Sequence, residues 1–272
     1  LHAIALNYKV EDHYVENPVG VFGRRLEVQS HLILTKSNLM NNLIQILKEC
    51  GLFINGIMYD GLALSSTLLT PAEQLNGALI VDFGGTATKI SFYKKYTLQK
   101  SLVIPVGSDS LTKDIATCLK VSIPEAERLK ILYGNVYVSS INPDENIDIT
   151  TLTEGTKKIK LLLLAQIIES RVKEIFLYCL KNISELSEEN YPVIYTGGGA
   201  LIKGFMPFCK DYINPKSKDG IREDIKNILE SSLYATAIGT LLYGINRNAI
   251  KYKEEKNKFF KQFKQFISMI KK

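Results

Sequence analysis

Two glycine corners constrain this chain more than any other feature. In GALIVDFGGTATKISFY (77–93) an apolar run meets Asp82, then Gly84-Gly85, then Thr86 and Thr88, and returns to an apolar run. In VIYTGGGALIKGF (193–205) a β-rich run meets Gly197-Gly198-Gly199 and passes into a helical pattern. Glycine permits φ > 0 and close approach of another group. Successive backbone N–H groups in such a turn form a concave anion site. The first corner joins two strands. An acid there does not hold phosphate itself; it holds a divalent cation, usually through water, and the cation holds phosphate oxygens. The alternative is an Asp/Gly hairpin corner with no ligand. At the second corner, N–H groups at a helix start favour phosphate, and bare glycines let a flat purine or ribose lie against the chain. The alternative is tight strand–helix packing. The Walker pattern GxxxxGK[ST] is absent, and the spacing does not fit the dinucleotide fingerprint.

The 272 residues, 46% of them hydrophobic, suffice for one large domain or two to three small ones. No apolar window reaches the length of a membrane-spanning helix. The opening LHAIALNYKV has no basic n-region and no Met, reads as a strand entered midway, and leads us to expect sequence upstream. Cys50, Cys118, Cys179 and Cys209 form no CxxC pair, so reduced thiols are expected. His2, His13 and His31 are read as ordinary strand and loop positions. The net charge of +6 is matched by six lysines and no acid between Lys256 and Lys272. A basic tail on a neutral body follows, with no nucleic-acid partner.

Along the chain, residues 1–34 read as strands around an Asn-Pro/Gly corner, and SNLMNNLIQILKECG as a helix capped by Ser37. LFINGIMYDG reads as a strand, and LALSSTLLTPAEQ as a short helix stopped by Pro71. A third strand covers 97–107. Two amphipathic helices follow, the second capped by Ser122 with Pro124 in its first turn. A polar segment then precedes a long helix expected from about Lys157 to Leu186, and SSLYATAIGTLLYGI reads as helical.

Taken together, the two corners, about 110 residues apart with helices between, resemble the phosphate-2 and adenosine motifs of the actin-like ATPase superfamily. Within it the chain resembles the FtsA cell-division family. The resemblance is carried in the family's order by NPVGVFGRRLEVQSHLI (17–33), CGLFINGIMYDGLA (50–63), IVDFGGTATKI (80–90), VIPVGSDSLTKDIA (103–116), PEAERLKILYG (124–134), YTGGGALIKGF (195–205) and YATAIGTLLYG (234–244).

The resemblance implies an α/β, actin-like (ribonuclease-H-like) two-lobed fold with a partial first lobe and a C-terminal amphipathic helix. Residues 1–60 would be the remainder of the family-specific subdomain. Residues 61–76 and 237–250 would be first-lobe elements, 77–108 and 190–236 the second-lobe core, and 109–189 its upper subdomain. Residues 251–272 would be a linker and membrane-targeting helix. The implied cofactors are ATP and Mg2+. Asp82, Gly84, Gly85, Thr86 and Thr88 would meet phosphate, with Asp82 also the metal residue, and Gly197, Gly198 and Gly199 would meet the adenosine. Glu127 and Lys130 match a ribose-contacting region or form a surface i,i+3 ion pair. Asp60 falls where active relatives place a water-orienting residue. The implied partners are the tubulin-like protein FtsZ, further copies of the chain in a filament, and an anionic membrane at the cytoplasmic face.

The chain also departs from the family. The phosphate-1 loop is not in this sequence, so a fragment or a truncated gene is expected. The family pattern Asp-x-Gly-Gly-Gly-Thr-Thr-Asp has Thr86 at its third glycine, Ala87 at its first Thr and Lys89 at its last Asp. A β-branched residue tolerates φ > 0 poorly, so a reshaped turn is expected. Lys89 contacts phosphate or lies on a solvated strand face, and we adopt the second. ATPase activity is expected to be weak at most. The rival readings are another actin-like ATPase (a chaperone or shape-determining filament) and a nucleotide-free scaffold of the same fold.

In the tail, Phe259, Phe260, Phe263, Phe266, Ile267 and Ile270 share one helical face, and lysines including Lys261 and Lys264 occupy the other. Aromatic rings at the headgroup boundary and ammonium groups on anionic lipid fit an interfacial anchor. The alternative is a terminal helix docked on its own core.

Overall fold

The computed structural model describes residues 1–153, 155–183, 191–220 and 232–248. The expected amphipathic tail, Phe259 to Ile270 with Lys261 and Lys264, lies outside the described residues. Among those described, no helix is long and apolar enough to cross a membrane.

The centre is a five-stranded mixed sheet, order β10-β9-β4-β5-β6, built from β4 (Ala78–Phe83), β5 (Thr88–Lys94), β6 (Thr97–Ile104), β9 (Val193–Thr196) and β10 (Ser217–Asp219). β4 runs antiparallel to β5 and parallel to β9. Its sequence ALIVDF is apolar almost throughout because both faces of the strand are covered. Side chains alternate between the faces. Leu79, Val81, Phe83, Ile90, Phe92, Val193 and Tyr195 enter the larger core. Ala78, Ile80, Tyr93 and Ile194 enter the smaller one.

Helices α4 (Asp109–Leu119), α5 (Ile123–Tyr133), α6 (Leu161–Asn182) and α7 (Phe205–Tyr212) contribute to the larger core. α6 buries Leu161, Leu164, Ala165, Ile168, Val172, Ile175, Phe176 and Cys179, a helical stripe that points inward. Phe83 lies edge-on to Phe176 at 5.6 Å and stacked on Phe205 at 5.8 Å. The smaller core is closed by α2 (Asp60–Leu68) and α8 (Ala235–Asn248). These helices cross so closely that a Cβ on Gly239 would lie 2.1 Å from the Ala63 carbonyl oxygen.

A separate antiparallel sheet, order β2-β1-β3, covers β1 (His2–Val10), β2 (His13–Val15) and β3 (Leu26–Ile33). His2 accepts from the Tyr59 amide, and His31 meets the Ser101 hydroxyl at 2.9 Å. No group of three or more His, Cys, Asp or Glu suited to a metal occurs among the described residues. The four cysteines are free thiols.

Several local expectations are corrected. Residues 52–59 form no strand, and Phe53 is 90% exposed with no strand partner to cover it. Pro71 opens a helix rather than stopping one: Thr70 caps α3 (Pro71–Asn76) in a reciprocal capping box with Glu73. Ser37 is the first residue of α1 (Ser37–Glu49), and the cap position is Lys36 without a side-chain bond. The long helix begins at Leu161, because β8 (Gly155–Lys160) pairs antiparallel with β7 (Asn146–Thr151). Ser122 does cap α5, accepting from the Glu125 amide.

Candidate functional site

Asp82 occupies the next-to-last position of β4, where register sets Thr196 of β9 on one side and Lys89 of β5 on the other. It belongs to the Ala78–Ile80 face of the sheet, above the start of α2. Because β4 and β9 are parallel, both glycine corners leave the sheet at the same end. They meet at Asp82: a Cβ on Gly197 would lie 2.6 Å from Asp82 Oδ1 and 2.6 Å from the Phe83 carbonyl oxygen. Gly197 also has φ +91°, a conformation L side chains rarely adopt.

The first corner is a tight turn closed by the Gly84 amide donating to the Ala87 carbonyl at 3.1 Å. Its glycines serve proximity rather than handedness, since neither has positive φ. The start of α4 fastens the turn: the Ser108 amide donates to the Gly84 carbonyl and the Asp109 amide to the Gly85 carbonyl, both at 2.9 Å. That approach leaves no room for a Cβ on Gly107, which would lie 2.4 Å from the Gly85 oxygen. Thr86 is exposed and keeps an ordinary φ, so the β-branched residue carries no left-handed strain in this turn.

The second corner continues as a 3-10 turn over Gly198–Leu201, and α-helix resumes only at Phe205. Gly198 is exposed, and a Cβ there would find its nearest neighbour, an atom of Leu233, 3.6 Å away. Gly199 is buried on the Phe83 ring, 2.4 Å from a would-be Cβ. Thr86 and Gly198 are exposed at one end of the sheet, a Cβ on Gly85 would lie 2.9 Å from Asp109 Oδ1, and Gly197 and Gly199 are required by packing.

Other expected residues are committed within the protein. Thr88 is fully buried and donates its hydroxyl to the Val106 carbonyl at 2.8 Å, bracing the turn from beneath. Lys130 is not a surface residue: its buried ammonium meets Glu127 Oε2 at 2.8 Å and the Thr112 hydroxyl at 2.9 Å. Burial raises the Glu127 pKa, but Lys130 and Thr112 outweigh it and leave the carboxyl below its ordinary range. Glu127 and Lys130 therefore tie α5 to α4.

Lys89 corrects the sequence reading most. It does not lie on a solvated face. Its ammonium contacts Asp60 Oδ2 and stands 3.5 Å from Asp82 Oδ2, with the three side chains 30%, 39% and 15% exposed. Asp60 is the first residue of α2, which packs on β5. Burial works against the Lys89 charge, yet the two carboxylates outweigh it and its pKa is raised. Asp82 moves upward too: burial dominates, Lys89 opposes it and Asp60 adds to it. The two shifts differ in origin because the closer contact belongs to Asp60, which leaves Asp82 less compensated. Mg2+ needs near-octahedral oxygen ligands. A carboxylate pair already holding an ammonium does not fit that ion, and Asp60 is not a free carboxylate for orienting water. Asp60, Lys89 and Ser108-Asp109 lie far apart in sequence. Only the glycine after the β6 strand, in VGSD, signals the α4 contact.

Comparison with known proteins agrees with this architecture. The family model "Cell division protein FtsA" matches residues 79–239. The cell division protein FtsA of Buchnera aphidicola subsp. Baizongia pistaciae is 30% identical, over 98% of this chain and 68% of its own length. That of Escherichia coli K12 is 27% identical, over 90% of this chain and 62% of its own length. The chain thus spans about two thirds or less of the length of these relatives. Among solved structures, MreB5 of Spiroplasma citri bound to ADP superposes with a TM-score of 0.63 at 18% identity, covering 80% of this chain and 68% of MreB5. That likeness shows an actin-like fold. Fold, ordered motifs and the family match agree, and the chain belongs to the FtsA family of cell-division proteins.

Proposed function

We propose that this actin-like cell-division protein binds an adenine nucleotide, ATP in the cell, between the Gly84–Thr86 turn and the Gly197–Gly199 turn. The observation that carries the reading is the convergence of both turns on Asp82 through the parallel β4–β9 pair. The exposed turn residues Thr86 and Gly198 suit phosphate and a flat base, and MreB5 of the same fold was solved with ADP. Hydrolysis is slow in this reading, because Asp60 is spent on Lys89.

The family supports a wider role: self-association into filaments, tethering of FtsZ, and peripheral attachment to the cytoplasmic face of the membrane through residues 251–272. Residues 1–60, 61–76 with 237–250, 77–108 with 190–236, and 109–189 are the structural units of that role. The basic, aromatic face of the tail is the sequence support for lipid attachment.

The test is titration of the full chain with a fluorescent ATP analogue, beside a Gly198→Phe variant that fills the open corner. Saturable binding lost in the variant supports the reading, and binding unaffected by the variant sinks it. For the tail, co-sedimentation with anionic liposomes should fall when residues 256–272 are removed. Equal pelleting would refute the anchor.

A further inference from the structure

The fold brings one lysine between two carboxylates at the place where the resemblance implies a divalent ion. Register fixes this: Lys89 is the β5 partner of Asp82, and Lys89, Ser91 and Tyr93 all project toward α2. On that same face the Tyr93 hydroxyl donates to the Gly61 carbonyl, and a Cβ on Gly61 would lie 2.3 Å from the Ser91 hydroxyl oxygen. The first turn of α2 is therefore held against β5, and Asp60 is carried onto Lys89 by packing rather than by a loose surface approach. Half-burial strengthens the attraction over that of an exposed pair.

We propose that Lys89 supplies from within the chain the positive charge that a divalent cation would bring to the Asp60–Asp82 pair, so that nucleotide phosphate is bound here without a metal ion. This rests on the nucleotide reading above for its ligand, but not for its first test. Two carboxylates and one ammonium leave a single net negative charge. A divalent ion entering beside the ammonium meets like-charge repulsion, and displacing the ammonium strands a lysine that both carboxylates now compensate. Among the described residues no third His, Cys, Asp or Glu joins the pair to make a metal site. A phosphate at the Gly84–Thr86 turn would meet backbone N–H groups beyond Gly84, whose amide already donates to the Ala87 carbonyl, and the Lys89 charge instead.

The first experiment needs no nucleotide. Mn2+ is titrated into the full chain and followed by electron paramagnetic resonance, with Lys89→Ala, Lys89→Gln, Asp82→Asn and Lys89→Ala/Asp82→Asn beside the wild type. The wild type should bind Mn2+ no more tightly than about 1 mM, the weak end of oxygen-ligand sites. Both Lys89 single variants should gain at least about tenfold in affinity, and the double variant should lose the gain. Tight Mn2+ binding by the wild type that Asp82→Asn abolishes, or no gain in either Lys89 variant, overturns the proposal. In the second experiment, fluorescent ADP is titrated with EDTA and with Mg2+. Wild-type affinity should agree within about twofold, whereas a loss of tenfold or more in EDTA overturns the proposal. Absence of nucleotide binding under both conditions refutes the nucleotide reading and leaves the Mn2+ result to decide the role of Lys89.

Discussion

Asp82 and Gly197 are in contact across the parallel β4–β9 pair, at the point where both glycine turns leave the sheet. Space and backbone conformation both demand glycine at 197. Gly197→Ala should therefore destabilise the fold by about 1–3 kcal/mol. Gly198→Ala, two residues beyond Thr196 but with only an ordinary van der Waals contact to Leu233 at 3.6 Å, should stay within about 0.5 kcal/mol. Urea unfolding of the two variants checks the contrast, and equal losses would contradict the assigned packing.

Thr88 is predicted to be a structural residue despite its place in the phosphate-2 motif. Thr88→Val keeps the volume and removes the donor to the Val106 carbonyl, for a cost of about 1–2 kcal/mol. Nucleotide affinity, measured well below the unfolding transition, should be unchanged. A selective loss of affinity without loss of stability would place Thr88 on the ligand.

Phe83 anchors the larger core beneath Gly199. Phe83→Ala should cost about 3–5 kcal/mol, and Phe83→Leu clearly less. Thermal unfolding followed by near-ultraviolet dichroism reports both, since Phe83 stacks within an aromatic group that includes Phe176 and Phe205.

Glu73 gives a pH-dependent signature. Burial pushes its carboxyl up, but the Lys218 ammonium and the Thr70 amide and hydroxyl outweigh it, leaving the pKa below the ordinary value. A depressed folded-state pKa means stability that is present above the unfolded-state value and lost as pH falls through the folded one. Glu73→Ala should cost about 1–2 kcal/mol at neutral pH through the capping box and its ion pair. The difference from wild type should shrink as the solution is acidified below the carboxylate range. A difference that persists unchanged at acid pH would show that the Glu73 charge contributes nothing.

How far the sequence leads depends on the range of the interaction. The Ser122 cap of α5 is a signal within four residues, and it is legible. The two corners are legible too, because glycine pairs at strand ends have few other uses. Pro71 misleads because the same residue type stops one helix and starts another; only the Thr70-Glu73 box tells which. The strand at 155–160 is hidden because GTKKIK has the polarity of a helix face and becomes a strand only through pairing with 146–151. Lys89 is hidden for a stronger reason: its partners come from α2 and β4, and neither the α2–β5 contact nor the β4–β5 register is written in local pattern.

The order of strands also has a consequence for biosynthesis. β9 is inserted between β4 and β10, and it is made more than a hundred residues after β4. A growing chain that ends before Val193 carries β4 with one ledge of backbone groups bare, and α2 waits for the cover of α8. Such non-local pairing is slow to form, and an open strand edge invites association with other chains. Ribosome-bound chains of graded length should gain protease resistance in one late step, after both β9 and α8 have emerged.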